Sequence, residues 1–198
     1  MGVLFESLYS KFLKRVLDCV LAVLLAVPLL FPMGLIAIAI RLTSPGPAIF
    51  WSERVGRNNQ NFRMPKFRTM RADTPQIATH LLTDARARLT PIGSILRKTS
   101  MDELPQIWSI LLGDMSFVGP RPALFNQHDL ISLRGESGVS ALVPGLTGWA
   151  QINGRDELTI EEKVRLDEQY LLSQSLFLDL KILTMTLYKV FVVSTIRH

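Results

Sequence analysis

The sequence predicts an α+β fold, mostly helical with short strands, framed by one apolar segment near the N-terminus and another at the C-terminus. Three observations lead there. Helical periodicity and capping signals recur between residues 92 and 172. Strand and turn chemistry is confined to short stretches such as 48–70. No long strands alternate with crossover helices, which disfavours a doubly wound sheet. At 198 residues the chain is about one domain long and large enough to bury a core. Its charge is uneven: residues 1–98 hold 14 Lys/Arg against 5 Asp/Glu, and residues 99–198 hold 8 against 12. A basic front half suits an anionic partner such as lipid headgroup, phosphate or nucleic acid, without choosing among them. With 48% hydrophobic residues, the chain is neither disordered nor an ordinary basic nucleic-acid module. A single cysteine, Cys19, excludes an internal disulfide framework and a cysteine-cluster metal site. His80, His128 and His198 lie too far apart to suggest a zinc site or a His-based triad.

Residues 16–40 form an apolar run whose only charge is Asp18. As a straight helix the run would measure about 37 Å, enough to cross a hydrocarbon core of roughly 30 Å. Pro28 at its midpoint and Pro32 one turn later argue for a kink. Each arm, 16–27 and 29–40, would then be about 18 Å long, too short to cross alone. Lys11, Lys14 and Arg15 precede the run, and Arg41, Arg54 and Arg57 follow it, so both flanks carry the charge that favours the cytoplasmic side. From these residues a bent, re-entrant helix and a spanning helix both stand.

Ser44-Pro45-Gly46-Pro47 breaks the run, and 48–51 with 62–70 reads as a hairpin about the polar turn at 57–61. Residues 74–89 read as a polar helix plus linker, and 92–97 as a short amphipathic helix. The clearest soluble helix is 100–112. Ser100 with Glu103 forms a capping-box pattern, and Leu104, Ile107, Trp108 and Leu111 share a face; Pro105 predicts an irregular start. A loop at 113–122, a weak helix at 124–133, turns at Pro144-Gly145 and Asn153-Gly154 and a charged helix at 160–172 follow. Residues 176–196 are apolar but interrupted by Asp179, Lys181 and Lys189, which favours an amphipathic helix on a bilayer surface over a second span.

Asp102-Glu103 is the first candidate for chemistry. Acidic residues in a first helical turn can simply cap the backbone. The same placement could hold Asp102 ionised as a nucleophile toward phosphorus while its neighbour holds a divalent cation. Arg97-Lys98 lies just before, and Pro120-Arg121-Pro122 presents a guanidinium in a stiff setting suited to phosphate. Arg54, Arg57, Arg63, Lys66, Arg68 and Arg71 form a basic run that reads as a solvated face, a headgroup patch or a substrate funnel. P-loop, dinucleotide and Gly-x-Ser-x-Gly signatures are absent. Trp51, Trp108 and Trp149 read as core or membrane-interface residues.

In order, several stretches resemble the bacterial sugar transferase family, the monotopic polyprenyl-phosphate phosphoglycosyl transferases. They are Lys14-Arg15-Val16-Leu17-Asp18 with the apolar run, Ser44-Pro45-Gly46-Pro47 and Lys66-Phe67-Arg68-Thr69-Met70. LRKTSMDELPQIW at 96–108, GDMSFVGPRP at 113–122 and PGLTGWAQINGR at 144–155 continue the series, and Asp167, Tyr170 and Asp179-Leu180-Lys181-Ile182 complete it. The resemblance implies transfer of a sugar-1-phosphate from a UDP-sugar to undecaprenyl phosphate, with release of UMP. It implies Asp102 as the nucleophile of a covalent phosphosugar intermediate, Glu103 as the ligand of a magnesium ion, and Arg97 and Arg121 as phosphate-binding residues. Lys66, Arg68, Pro120 and Pro122 join the substrate site. It also implies a re-entrant helix bent at Pro28, although many members have Ser-Pro where this chain has Val27-Pro28. The implied organisation is a membrane helix and basic flank over 1–43, a catalytic domain over 44–175 and a membrane-associated segment over 176–198. The implied place is the cytoplasmic face of the bacterial inner membrane, among membrane lipids and without nucleic acid; the oligomeric state stays open, a homodimer included. Two competing readings are a membrane-anchored basic adaptor and a membrane phosphodiesterase acting on the same donor.

Overall fold

The computed structural model describes residues 9–75, 84, 87–154 and 157–189, with the side chains of Ser10 and Lys11 excepted. The polar stretch expected at 74–89 lies largely outside them, as do His80, Arg155, His198 and residues 190–196.

A π-helical turn, Tyr9–Leu13, leads into α1 (Lys14–Thr43). The two arms expected on either side of Pro28 belong to one 30-residue helix, with Pro28 and Pro32 inside it. It is the helix long and apolar enough to cross a membrane among the described residues. A stripe at helical spacing packs on the rest of the chain. Leu21, Ala22, Ala26 and Leu29 meet the cluster of Ile107, Ile110, Met115 and Phe117, while Met33, Ile36, Ala37 and Ile40 meet Phe67 and Leu96. The opposite stripe, with Val20, Leu24, Val27, Phe31, Leu35 and Leu42, is exposed.

After the break at Ser44–Pro47, β1 (Ile49–Val55) pairs antiparallel with β2 (Asn61–Phe67), so the hairpin is present with longer strands than 48–51 suggested. Asn58 and Asn59 turn the chain at φ of 54° and 60°, a left-handed conformation asparagine tolerates. The helix expected at 92–97 is α2 (Gly93–Lys98). Residues 100–112 are not one capped helix. Ser100 sits at φ 56° with no side-chain cap bond, a 3-10 helix runs Met101–Gln106 around Pro105, and only Ile107–Leu112 is α-helical (α3). The capping box fails because the Glu103 carboxylate is taken by two cations. The face expected for this helix also shifts: Ile107, Ser109 and Ile110 are buried and Trp108 is exposed.

β3 (Ser116–Val118) pairs in parallel with β5 (Gly145–Thr147), and β4 (Ala123–Leu124) extends the first sheet into the order β2-β1-β4. The weak helix expected from 124 begins later, as α4 (His128–Glu136), because Leu124 is spent in β4. α5 (Trp149–Ile152) is a single turn. α6 (Ile160–Ser173) carries a true capping box between Thr159 and Glu162. α7 (Leu176–Tyr188) packs Ile182 into the same core as Ala22 and Met115. The charges that interrupt this helix meet protein groups. Asp179 is buried against Lys14, Lys181 lies over the Trp149 ring, and Lys189 donates to the Ile152 carbonyl. Its exposed side carries Phe177, Leu180, Leu187 and Tyr188.

Candidate active site

One large cavity, about 1010 Å³, opens against the face of the β1–β2 hairpin that carries Phe50, Ser52, Arg54 and Lys66. That placement follows from strand alternation: Phe50 pairs with Lys66, and Ser52 and Arg54 follow at every second residue. The 3-10 turn of Asp102 and Glu103 forms the adjoining wall, and the loop after β3, with Arg121 and Pro122, forms another.

Glu103 is the electrostatic centre. Its Oε1 accepts from Lys66 Nζ at 2.9 Å and from Arg121 at 2.7 Å. Burial alone would raise its pKa, but the charges and hydrogen bonds of Arg121 and Lys66 hold it well below the usual carboxylate range. Its neighbour differs. Burial pushes the Asp102 carboxyl up, Lys66 and Arg97 pull it down, and the Glu103 charge adds to the rise. The helix terminus expected at Asp102 is the start of a 3-10 helix rather than of an α-helix. The two adjacent carboxyls are thus shifted in opposite directions, Glu103 down and Asp102 up, a pattern found where acids divide roles. Ser100, two residues before Asp102, is in the left-handed region that non-glycine residues rarely adopt, and it leads into the 3-10 turn from which Glu103 reaches Lys66 of β2.

Arg121 is held by its backbone. Gly119 N–H donates to the Thr147 carbonyl at 2.8 Å, and Gly145 N–H donates to the Pro120 carbonyl at 2.9 Å, so the two residues before Arg121 are pinned to β5. Arg134 donates to the Arg121 carbonyl at 2.8 Å and pairs with Asp167 at 2.6 Å, adding a brace from beneath. Arg97 donates to the Thr69 hydroxyl at 3.0 Å on the cavity wall. Arg68 lines the same cavity, but its guanidinium holds the Pro47 and Ser44 carbonyls at 2.7 and 3.0 Å. Pro28, in α1, is not among the lining residues.

The basic run divides by function. Arg57 donates to the Ala141 carbonyl, Arg63 lies over the Trp51 ring at 5.7 Å, and Arg71 faces Asp73 at 3.5 Å. Arg54, which sequence reasoning left undistinguished in this run, points into the cavity. It donates to Ser52 and to the Pro122 carbonyl, and burial beside Arg121 pushes its pKa down to about 10. Hairpin register was the signal that could have found it, because Arg54 lies on the Phe50 and Ser52 face.

Several cations around two carboxyls make a site for an anionic ligand larger than a single phosphate. Among the described residues no three His, Cys, Asp or Glu side chains cluster as an all-protein metal cage. A magnesium ion does not need one, since it binds through one or two carboxylates plus substrate phosphates. The ionised Glu103 on the cavity wall fits that pattern.

Residues 9–193 match the family model described as bacterial sugar transferase. The chain is 38% identical over 190 residues to the UDP-glucose:undecaprenyl-phosphate glucose-1-phosphate transferase of Escherichia coli, a match covering 92% of this chain and 41% of that protein. It is 41% identical over 190 residues to an uncharacterised sugar transferase of Bacillus subtilis, covering 94% of this chain and 91% of the relative. With the UDP-N-acetylgalactosamine-undecaprenyl-phosphate N-acetylgalactosaminephosphotransferase of Aeromonas hydrophila the identity is 37% over 194 residues, covering 94% and 45%. The chain therefore spans less than half the length of the Escherichia and Aeromonas relatives and most of the Bacillus one.

Proposed function

The chain belongs to the bacterial sugar transferase family, and from that premise we propose that it moves a sugar-1-phosphate from a UDP-sugar to undecaprenyl phosphate through a covalent intermediate on Asp102. The observation that carries this reading is the pairing of Glu103 with Lys66 and Arg121 beside a buried Asp102, on the wall of a cavity large enough for a nucleotide sugar.

In the first step an Asp102 carboxylate oxygen attacks the phosphorus that bears the sugar. The bond from that phosphorus to the bridging oxygen breaks, and UMP leaves with the electron pair. In the second step a phosphate oxygen of undecaprenyl phosphate attacks the same phosphorus, and the Asp102 oxygen departs as carboxylate. Lys66, Arg121 and Arg97 offset the negative charge that gathers at phosphorus and leaving group. Glu103 would hold magnesium, which when bound screens the diphosphate and stabilises the leaving phosphate. Arg54 adds a further cation to the diphosphate end, and Pro120 and Pro122 keep the Arg121 loop stiff.

The test is incubation of pure protein with donor labelled in the sugar and no lipid. Wild type retains label covalently, and Asp102→Asn does not; equal labelling of both rejects the covalent step. Free sugar phosphate accumulating without acceptor favours a phosphodiesterase. Salt-sensitive lipid binding without UMP release favours an adaptor.

The same reading places the protein at the cytoplasmic face of the inner membrane, with α1 re-entrant. Support comes from packing at both ends of α1 on one body, Ala22 on the Ile110 cluster and Ile40 on the Phe67 cluster, since a span would separate those ends by roughly 30 Å of hydrocarbon. Tags at the two ends of this chain should be reached only from the cytoplasmic side. An N-terminal tag reached from the opposite side means a spanning helix.

A further inference from the structure

Thr69, two residues past the end of β2, is buried on the cavity wall, and α2 meets it at two points. Its carbonyl oxygen accepts from the Thr90 amide at 3.0 Å and from the Thr90 hydroxyl at 3.3 Å. Gly93, the first residue of α2, lies so close that a Cβ there would be 2.1 Å from the same oxygen. Four residues on, and therefore on the same face of the helix, Arg97 returns to Thr69 and donates from Nε to its hydroxyl at 3.0 Å. Threonine is stiff about its first side-chain torsion, so a clamped backbone also fixes where that hydroxyl points. Arg97 is partly buried on the cavity wall, and its charge reaches Asp102. It makes no other hydrogen bond or ion pair among the described residues.

We propose that Thr69 is a positioning residue, whose hydroxyl sets Arg97 so that Nη1 and Nη2 meet a phosphate of the nucleotide donor. The inference rests on the transferase reading above and names what aims one of its phosphate-binding cations. A guanidinium has a side edge, Nε with one Nη, and an end edge, Nη1 with Nη2. Thr69 holds the first at Nε and leaves the second as a free fork, the geometry that grips phosphate with two parallel bonds. Without that hold the long side chain would have to be ordered by the ligand itself, which weakens binding. Lys66 and Arg121 are held in another way, by the Glu103 carboxylate. Arg97 has a neutral partner instead, so it is fixed in place while its whole charge stays available to an anion.

The experiment uses full-chain protein in detergent with magnesium and calorimetric titration with UDP. Thr69→Val keeps the shape and removes the hydroxyl, and should weaken UDP binding about tenfold. Thr69→Ser keeps the hydroxyl and should stay within threefold of wild type. Arg97→Ala should lose at least as much as Thr69→Val, and adding Thr69→Val to Arg97→Ala should cost nothing further. Should the valine variant fail to fold, Thr69→Ala against Thr69→Ser isolates the same hydroxyl, with the same tenfold difference expected. Equal binding by the variants with and without the hydroxyl overturns the proposal, as does Arg97→Ala that binds like wild type. Losses that multiply in the double variant also overturn it, since Thr69 would then act on the ligand or the fold without Arg97. Failure of the underlying reading shows separately, as wild type that releases no UMP from any UDP-sugar.

Discussion

Glu103 carries two cations on one carboxylate oxygen, and that arrangement ties the candidate site to the stability of the fold. Its folded pKa lies below that of the unfolded chain, about 4.3 for a free glutamate. The stabilisation is therefore present above that pH and is lost as pH falls through and below it. Replacing one partner of a buried pair leaves the other uncompensated, at a cost of about 3 kcal/mol. With divalent metal removed, Glu103→Gln should lower the denaturation midpoint at pH 7, and the gap to wild type should start to narrow below about pH 5 and go on narrowing as pH falls through the depressed folded pKa. A gap that stays constant over that range would show that the carboxylate is not held ionised by its partners.

Among the elements, the crossing of β3, β5 and α5 does most to place the site. Gly119, Gly145 and Gly148 approach so closely that a Cβ on Gly148 would meet the Gly119 carbonyl oxygen at 2.1 Å. Overpacking of this kind costs about 1–3 kcal/mol, and displacement of a positioning loop by an ångström costs about 100-fold in rate. Gly148→Ala should therefore lower kcat/KM by at least tenfold through Arg121, whereas Gly34→Ala, with nothing within 4 Å of the new methyl, should leave it unchanged. Equal effects of the two would reject the crossing as the cause. The hairpin was legible because Asn58 and Asn59 mark its turn and alternation fixes its faces. The Asp-Glu pair stood out in the sequence as a candidate, but its geometry did not. Ser100 resembles a cap by residue type, yet Glu103 is drawn away by Lys66, 37 positions earlier in the chain, and local sequence carries no trace of that pull. Arg68 illustrates the same limit, since a cation lining the cavity instead holds the Ser44 and Pro47 carbonyls.

Across the whole molecule, a buried polar knot joins the first helix to the last. Asp179 of α7 accepts from Lys14, from Tyr9 at 2.5 Å and from Tyr170 at 2.6 Å, while Asp18 accepts from the Phe117 amide at 3.2 Å. Arg15 adds bonds to carbonyls in the last turn of α3, those of Ile110 and Leu111, where a helix end runs short of backbone donors. If Lys14 and Asp179 act as a unit, Lys14→Met and Asp179→Leu should each lower the denaturation midpoint, and the double variant should lose less than the sum, with a coupling of about 1–3 kcal/mol. Additive losses would mean that the two side chains stabilise the fold independently. The partners are 165 residues apart in the chain. A ribosome adding roughly 5–20 residues per second needs on the order of ten seconds or more to deliver the second after the first. Throughout that interval the apolar helix has been made while the carboxylate that holds its basic end has not.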